Sequence, residues 1–155
     1  MFNHGINVVG LFLVADILEK RLKTRDITTM GGIASKAPIF ALLSFIIVCG
    51  AMAVPLTNGF PGELLLLKSV FTYNAWLGAF AGLTIIFCAV YMLRIFQLVM
   101  FGGTKPSTEH FEEVNSIEGV SLGIVAFFVV ILGIFPQSIL DMSGSAVKSF
   151  LGFVG

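Results

Sequence analysis

The apolar stretch from Pro38 to Phe71 is interrupted by Val54-Pro55-Leu56-Thr57-Asn58-Gly59-Phe60-Pro61-Gly62-Glu63, and no regular helix absorbs that interruption. Proline removes a backbone donor and clashes with the preceding turn, while glycine adds backbone freedom. The flanks, Ile39 to Val54 and Leu64 to Phe71, are nevertheless as apolar as any part of the chain. In lipid a broken helix survives only where other protein or a water-filled cavity satisfies the freed backbone groups. Glu63 follows the break directly, as a carboxylate at the start of a second half-helix. Broken spans with an ionisable group at the break are one way to build an ion site near the membrane midplane.

The rest of the chain has the composition that such a span needs. Hydrophobic residues make up 57% and charged residues 12%, against roughly 25% charged in a soluble domain. The fold class is therefore an all-α integral membrane protein, with the lipid bilayer as a partner. Net charge is zero and no basic patch carries interleaved aromatics, which excludes nucleic-acid binding. Cys49 and Cys88 each sit inside an apolar run, with no histidine or cysteine nearby at ligand spacing. They read as small buried hydrophobes and not as zinc or iron–sulfur ligands. No phosphate loop, nucleotide fingerprint or serine elbow is present, so no metal or cofactor is expected in this chain.

Taken in order, the chain divides into four membrane segments at about 2–18, 38–71, 75–101 and 117–135, the second broken at 55–62. The first is short for a crossing, which takes about 20 apolar residues, and it lacks the basic start and cleavage site of a signal peptide. It reads as the remainder of a helix, and the chain as a fragment. The loop from Glu19 to Lys36 carries Lys20, Arg21, Lys23, Arg25 and Lys36, and is cytoplasmic by the positive-inside rule. Its Gly31-Gly32 pair marks a turn, and Pro38 suits the first turn of the next helix. If 38–71 crosses once, Arg94 and Lys105 return to the side of that basic loop; a hairpin would put them opposite. The single crossing is preferred, with the carboxyl end outside. His110, in the polar loop 102–116, reads as solvated. Gln137 to Gly155 is either a short interfacial helix, with Asp141 and Lys148 on its polar side, or a truncated end. Gly78 and Gly82 match the small-xxx-small pattern of close helix packing.

Glu63 is the first candidate for chemistry. Desolvation favours its neutral form and the positive end of its half-helix favours the charged one, so a group held between them can take up and release a proton. The alternative is a helix-start carboxylate that only caps backbone. His4 lies in the first segment, where Asn3 and Asn7 add to a partly polar face. It is either a proton relay through water or a buried histidine bonded to a neighbouring helix. Lys68, five residues beyond Glu63, does not share its face. It reads as a lysine snorkelling to the interface, or else as a charge that modulates the glutamate. Asp16 and Arg94 read as boundary anchors or ion-pair partners.

His4-Gly5 leading into an apolar helix, then Thr24-Arg25-Asp26-Ile27, Met30-Gly31-Gly32, and finally Pro55, Thr57, Gly59-Phe60 and Gly62-Glu63 form a recognisable series. In order and spacing it resembles the carboxyl-terminal part of the subunit M family of bacterial NADH–quinone oxidoreductase, respiratory complex I. NADH dehydrogenase subunit 4 is the mitochondrial counterpart. The resemblance runs from His4 through Phe101 and more loosely to the end. It implies an antiporter-like fold with an inverted repeat, of which this chain would cover the last four helices. It also implies a proton-translocating subunit of the complex's membrane arm in a bacterial inner or plasma membrane, with the other membrane-arm subunits as partners. NADH, FMN, iron–sulfur clusters and quinone would all belong elsewhere in that complex. Glu63 falls on the family's acidic residue in the second broken helix, and His4 on the histidine of its central hydrophilic axis. Pro61 and Lys68 depart from the family pattern, and the half that carries the family's central lysines is absent.

Three readings follow. In the first, Glu63 and His4 are a proton site and relay in an NADH:quinone oxidoreductase subunit that holds no redox centre itself. In the second, the same fold serves a cation/proton antiporter or membrane-bound hydrogenase. In the third, the chain is purely structural and Glu63 is a cap. Residues 1–155 are not expected to fold alone.

Overall fold

The computed structural model describes residues 1–137 together with Leu140, Asp141, Gly144, Ser149 and Gly152. The helix considered over 137–155 falls largely outside the described residues, Lys148 included. Every regular element among the described residues is helical: α1 (Phe2–Leu22), a 3-10 turn (Ile27–Thr29), α2 (Ile33–Lys36), α3 (Pro38–Ala51), α4 (Phe60–Tyr73), α5 (Ala75–Met100) and α6 (Ser116–Ile134). Helices α1, α5 and α6 are long and apolar enough to cross a membrane, and α3 is a shorter apolar helix.

α1, α3 and α6 pack into a three-helix group, α4 packs on α5, and α5 touches α3. Ile47, Leu122 and Val129 are fully buried in that group. At one end it is closed by the two polar loops, which bind each other. The Gly32 amide donates to the Phe101 carbonyl at 3.0 Å. Thr108 Oγ1 donates to the Gly31 carbonyl at 2.6 Å, and Lys105 Nζ donates to the Thr28 carbonyl. Gly32 takes φ 69°, and a Cβ there would stand 2.8 Å from the Thr104 nitrogen, so its lack of a side chain is required twice. The Thr24-Arg25-Asp26 motif shapes this loop: Asp26 Oδ1 accepts from the Thr28 amide at 2.9 Å and caps the 3-10 turn.

Glu113 closes the same end from a distance. Its carboxylate accepts from the Ile39 and Phe40 amides at 2.9 and 3.0 Å, at the otherwise uncapped start of α3. Arg21, from the end of α1, reaches Glu118 at 2.5 Å, the Glu112 carbonyl at 2.6 Å, and the face of Phe111 at 5.1 Å. Burial alone would raise the Glu113 carboxyl. The amides of Val114, Ile39 and Phe40 and the Arg21 charge outweigh it and hold the group below its ordinary value of 4.5.

α3 starts at this end, and so does α6; α1 and α5 finish here. Since α4 leads through Asn74 into the opposite end of α5, α3 and α4 together carry the chain from one end of the bundle to the other. Each has 14 residues, or about 21 Å of helix, which is less than a bilayer core of about 30 Å. The observed gap is 52–59, three residues earlier than the 55–62 expected from the prolines and glycines. α3 stops early because Ala53 and Leu56 both take left-handed backbone, at φ 52° and 73°. α4 resumes early because Pro61 stands in its first turn, where a missing N–H costs nothing.

Candidate functional site

The gap between α3 and α4 is seated on its neighbours by backbone. The Asn58 amide donates to the Val129 carbonyl of α6 at 2.8 Å. Gly133, one turn further along α6, lies so close to the gap that a Cβ would overlap the Leu56 carbonyl and the Thr57 backbone. Gly59 is equally confined, since a Cβ on it would stand 2.7 Å from the Gly50 carbonyl oxygen. Gly62 has open space around it.

Side chains from α1 complete the seat. Asn3 Nδ2 donates to the Asn58 carbonyl at 2.6 Å, and Asn58 Nδ2 returns to the Asn3 carbonyl at 3.2 Å. Asn7 Nδ2 donates to the Gly50 carbonyl at 2.9 Å. Asn3 and Asn7 are four residues apart and so stand on one face of α1. Asn7 keeps 5% of its exposure and Asn58 none, so these bonds satisfy donors with no access to bulk water. Asn58 was missed in the sequence reading. The available signal was a polar side chain inside the break, opposite a helix face that already carried two asparagines.

This seam floors a cleft of about 470 Å³ lined by Asn3, His4, Asn7, Asn58 and Glu63, with Cys88 and Tyr91 of α5. The structure thus brings His4 and Glu63, 59 positions apart in sequence, to one cavity. Glu63 is half-buried, and its carboxylate has no hydrogen-bond or ionic partner among the described residues. It also lines a second cavity of about 390 Å³ between α4 and α5, with Thr84 and Cys88. His4 is exposed, so the reading of it as a buried, bonded histidine is not what this segment shows. Lys68 is exposed and forms no ion pair with Glu63. Asp16 pairs with Lys20 at 2.6 Å, whereas Arg94 lies exposed at the loop end. Of the small-residue pair on α5, Gly78 receives the Phe71 ring of α4, and Gly82 faces open space. Among the described residues no three His, Cys, Asp or Glu side chains converge as metal ligands.

Known proteins resemble this chain in sequence and in fold. The pattern of the NADH:quinone oxidoreductase/Mrp antiporter transmembrane family matches residues 1–89. NADH-quinone oxidoreductase subunit M of Rickettsia conorii is 36% identical over 152 residues, covering 97% of this chain and 31% of that protein. The subunit M of Mycobacterium tuberculosis is 32% identical over 156 residues, covering 100% of this chain and 28% of the relative. The chain therefore spans less than a third of the length of these curated relatives. Among solved structures, the Mrp complex of a Dietzia species overlaps 93% of this chain and 35% of its own at TM-score 0.81 and 18% identity. An archaeal membrane-bound sulfane sulfur reductase overlaps 99% of this chain and 31% of its own at TM-score 0.76 and 21% identity. At those identities the likeness is one of fold.

Proposed function

This chain belongs to the NADH:quinone oxidoreductase/Mrp antiporter transmembrane family, and on that premise we propose that it is a segment of a proton-translocating subunit in the membrane arm of an NADH:quinone oxidoreductase. Glu63 takes up and releases the proton, and His4 relays it through water in the cleft that the two share. Electron carriers and quinone belong to other subunits, and the complex sits in a bacterial plasma membrane. The observation that carries the reading is Glu63 itself, an unpartnered carboxylate at the start of a half-helix, on the wall of a cavity that also holds a histidine. A capping carboxylate would be bonded to backbone amides, as Glu113 is; Glu63 is not.

The test is Glu63→Gln in the full-length subunit, with NADH-driven proton uptake measured in membrane vesicles and assembly checked on a native gel. Proton transfer by a positioned side chain contributes at least about a hundredfold where it acts. Pumping is therefore expected to fall sharply with assembly intact. Unchanged pumping in an assembled complex would return Glu63 to a structural role.

A further inference from the structure

A pocket of about 280 Å³ opens at the end of the bundle where the two loops bind each other, between the last turns of α5 and the loop that carries Met30. A water takes up about 30 Å³, so the space admits a group of several heavy atoms. Its polar lining is Arg94 and Gln97 of α5, Lys105, and the backbone of Gly31, Gly102 and Gly103. Among the described residues no carboxylate lines it.

What these groups have to spare is donors. Among the described residues the side chains of Arg94 and Gln97 have no hydrogen-bond or ionic partner, and the amides of Gly31, Gly102 and Gly103 donate to nothing. Gly31 is buried, where an unmade amide bond is costly. Lys105 Nζ is held in place by the Thr28 carbonyl, which uses one of its three hydrogens. Asp26, the carboxylate that feels the Lys105 charge, accepts from the Thr28 amide and hydroxyl at 2.9 and 2.7 Å and stands outside the lining. The carbonyl end of α5 contributes about half a negative charge, and Arg94 and Lys105 set two positive charges against it. A Cβ on Gly102 or Gly103 would meet nothing within 4 Å, so a ligand can come close to the backbone there. The pocket therefore suits a negatively charged group rich in acceptor oxygens.

α5 shows what carries that group. Leu83, Phe87, Val90 and Leu98 are exposed, and their spacing sets them on one face of α5 with Arg94. Arg94 stands six residues before the end of α5, about 9 Å along the axis, from where a long basic side chain reaches headgroup level with its stem on apolar surface. We propose that the pocket binds the phosphate of an anionic phospholipid whose acyl chains lie along this face of α5. Basic pockets between membrane helices take acidic headgroups in this way. A free phosphate would use the donors and leave the apolar face uncovered. The lipid joins Arg94 to Lys105, and through Lys105 to the Thr28 carbonyl, so it fastens α5 to the paired loops. The assignment is independent of Glu63.

The experiment is a set of maps of the assembled complex containing the full-length subunit, in nanodiscs of phosphatidylglycerol or of phosphatidylcholine, each in Tris and in phosphate buffer. Phosphate-sized density between Arg94 and Lys105, continuous with chain density along Leu83 to Leu98, is expected with phosphatidylglycerol in both buffers. It should be lost with phosphatidylcholine. Compact density without chains, present only in phosphate buffer, would give the pocket to a free anion and overturn the proposal. Equal occupancy by phosphatidylcholine, an empty pocket, or a protein side chain filling it would overturn it too. Arg94→Gln should lose the headgroup density and Arg94→Lys should keep it, and density that persists in Arg94→Gln would contradict the assignment. If a variant does not assemble, the wild-type maps decide by themselves.

Discussion

Glu113 and Glu63 are both glutamates beside a helix start, and their surroundings make them different groups. Glu113 accepts two amides at the head of α3, in a loop where Arg21 adds positive charge. Because its carboxyl is held below 4.5 in the folded chain, the stability it contributes is present above the unfolded value and is lost as pH falls through the folded one. Glu113→Gln should therefore destabilise the assembled subunit at neutral pH, by about 0.5–2 kcal/mol as for other helix caps. The gap between variant and wild type should close as the medium is acidified below the ordinary carboxylate range. Thermal unfolding of the complex across pH measures this, and a gap that widens on acidification would contradict the assignment. Asn58 has a different kind of role. Asn58→Ala removes the bond to the Asn3 carbonyl, which keeps its place in the α1 ladder, at a cost of about 0.5–1.5 kcal/mol. Trypsin sensitivity of the loop ends and hydrogen exchange at residues 52–59 should both rise.

For the elements, the break matters more than the helices it separates. It holds two non-glycine residues in left-handed backbone, a strain of about 1–3 kcal/mol each that persists only where the surroundings over-determine it. Those surroundings are the Val129 carbonyl, the bare backbone of Gly133 and the asparagines of α1. Gly133→Val should therefore displace the break, since its Cβ meets backbone atoms that cannot turn aside. Overpacking of this kind costs about 1–3 kcal/mol. NADH-driven pumping should fall although residue 133 is not placed in the proton site, and full pumping with normal stability would show that the contact is not needed. Gly82→Ala is the control, because nothing lies within 4 Å of its Cβ position.

For the molecule as a whole, the cleft is open on the side where α1 begins and α4 diverges from the three-helix group. His4 and Met1 are exposed there, and Glu63 is only half covered. In lipid such groups are costly without protein or water against them. Residues 1–155 expressed alone should be protease-sensitive and polydisperse in detergent, and a monodisperse, resistant monomer would count against this expectation. Supplying the remainder of a full-length relative's chain should restore protection at the break first.

The sequence by itself determined the class of the molecule, the existence of the broken span and the identity of Glu63 as its unusual residue. Those follow from local chemistry: an apolar run too long to be soluble, two prolines that deny it a continuous helix, and one carboxylate beside the interruption. The resemblance carried by His4-Gly5 and the Gly59-to-Glu63 motif added the family. Tertiary structure alone decided where the break begins: Ala53 and Leu56 turn left-handed in a segment whose Leu56 and Asn58 backbone rests on α6, a contact that no local propensity encodes. It alone gave Glu113 its place over α3, 73 positions away from Phe40, and joined Asn58 to Asn3 and Asn7 to Gly50. The physical reason is the same in each case. A buried polar group is satisfied by whichever donor or acceptor packing brings within about 3 Å, and separation along the chain does not reveal which one that is.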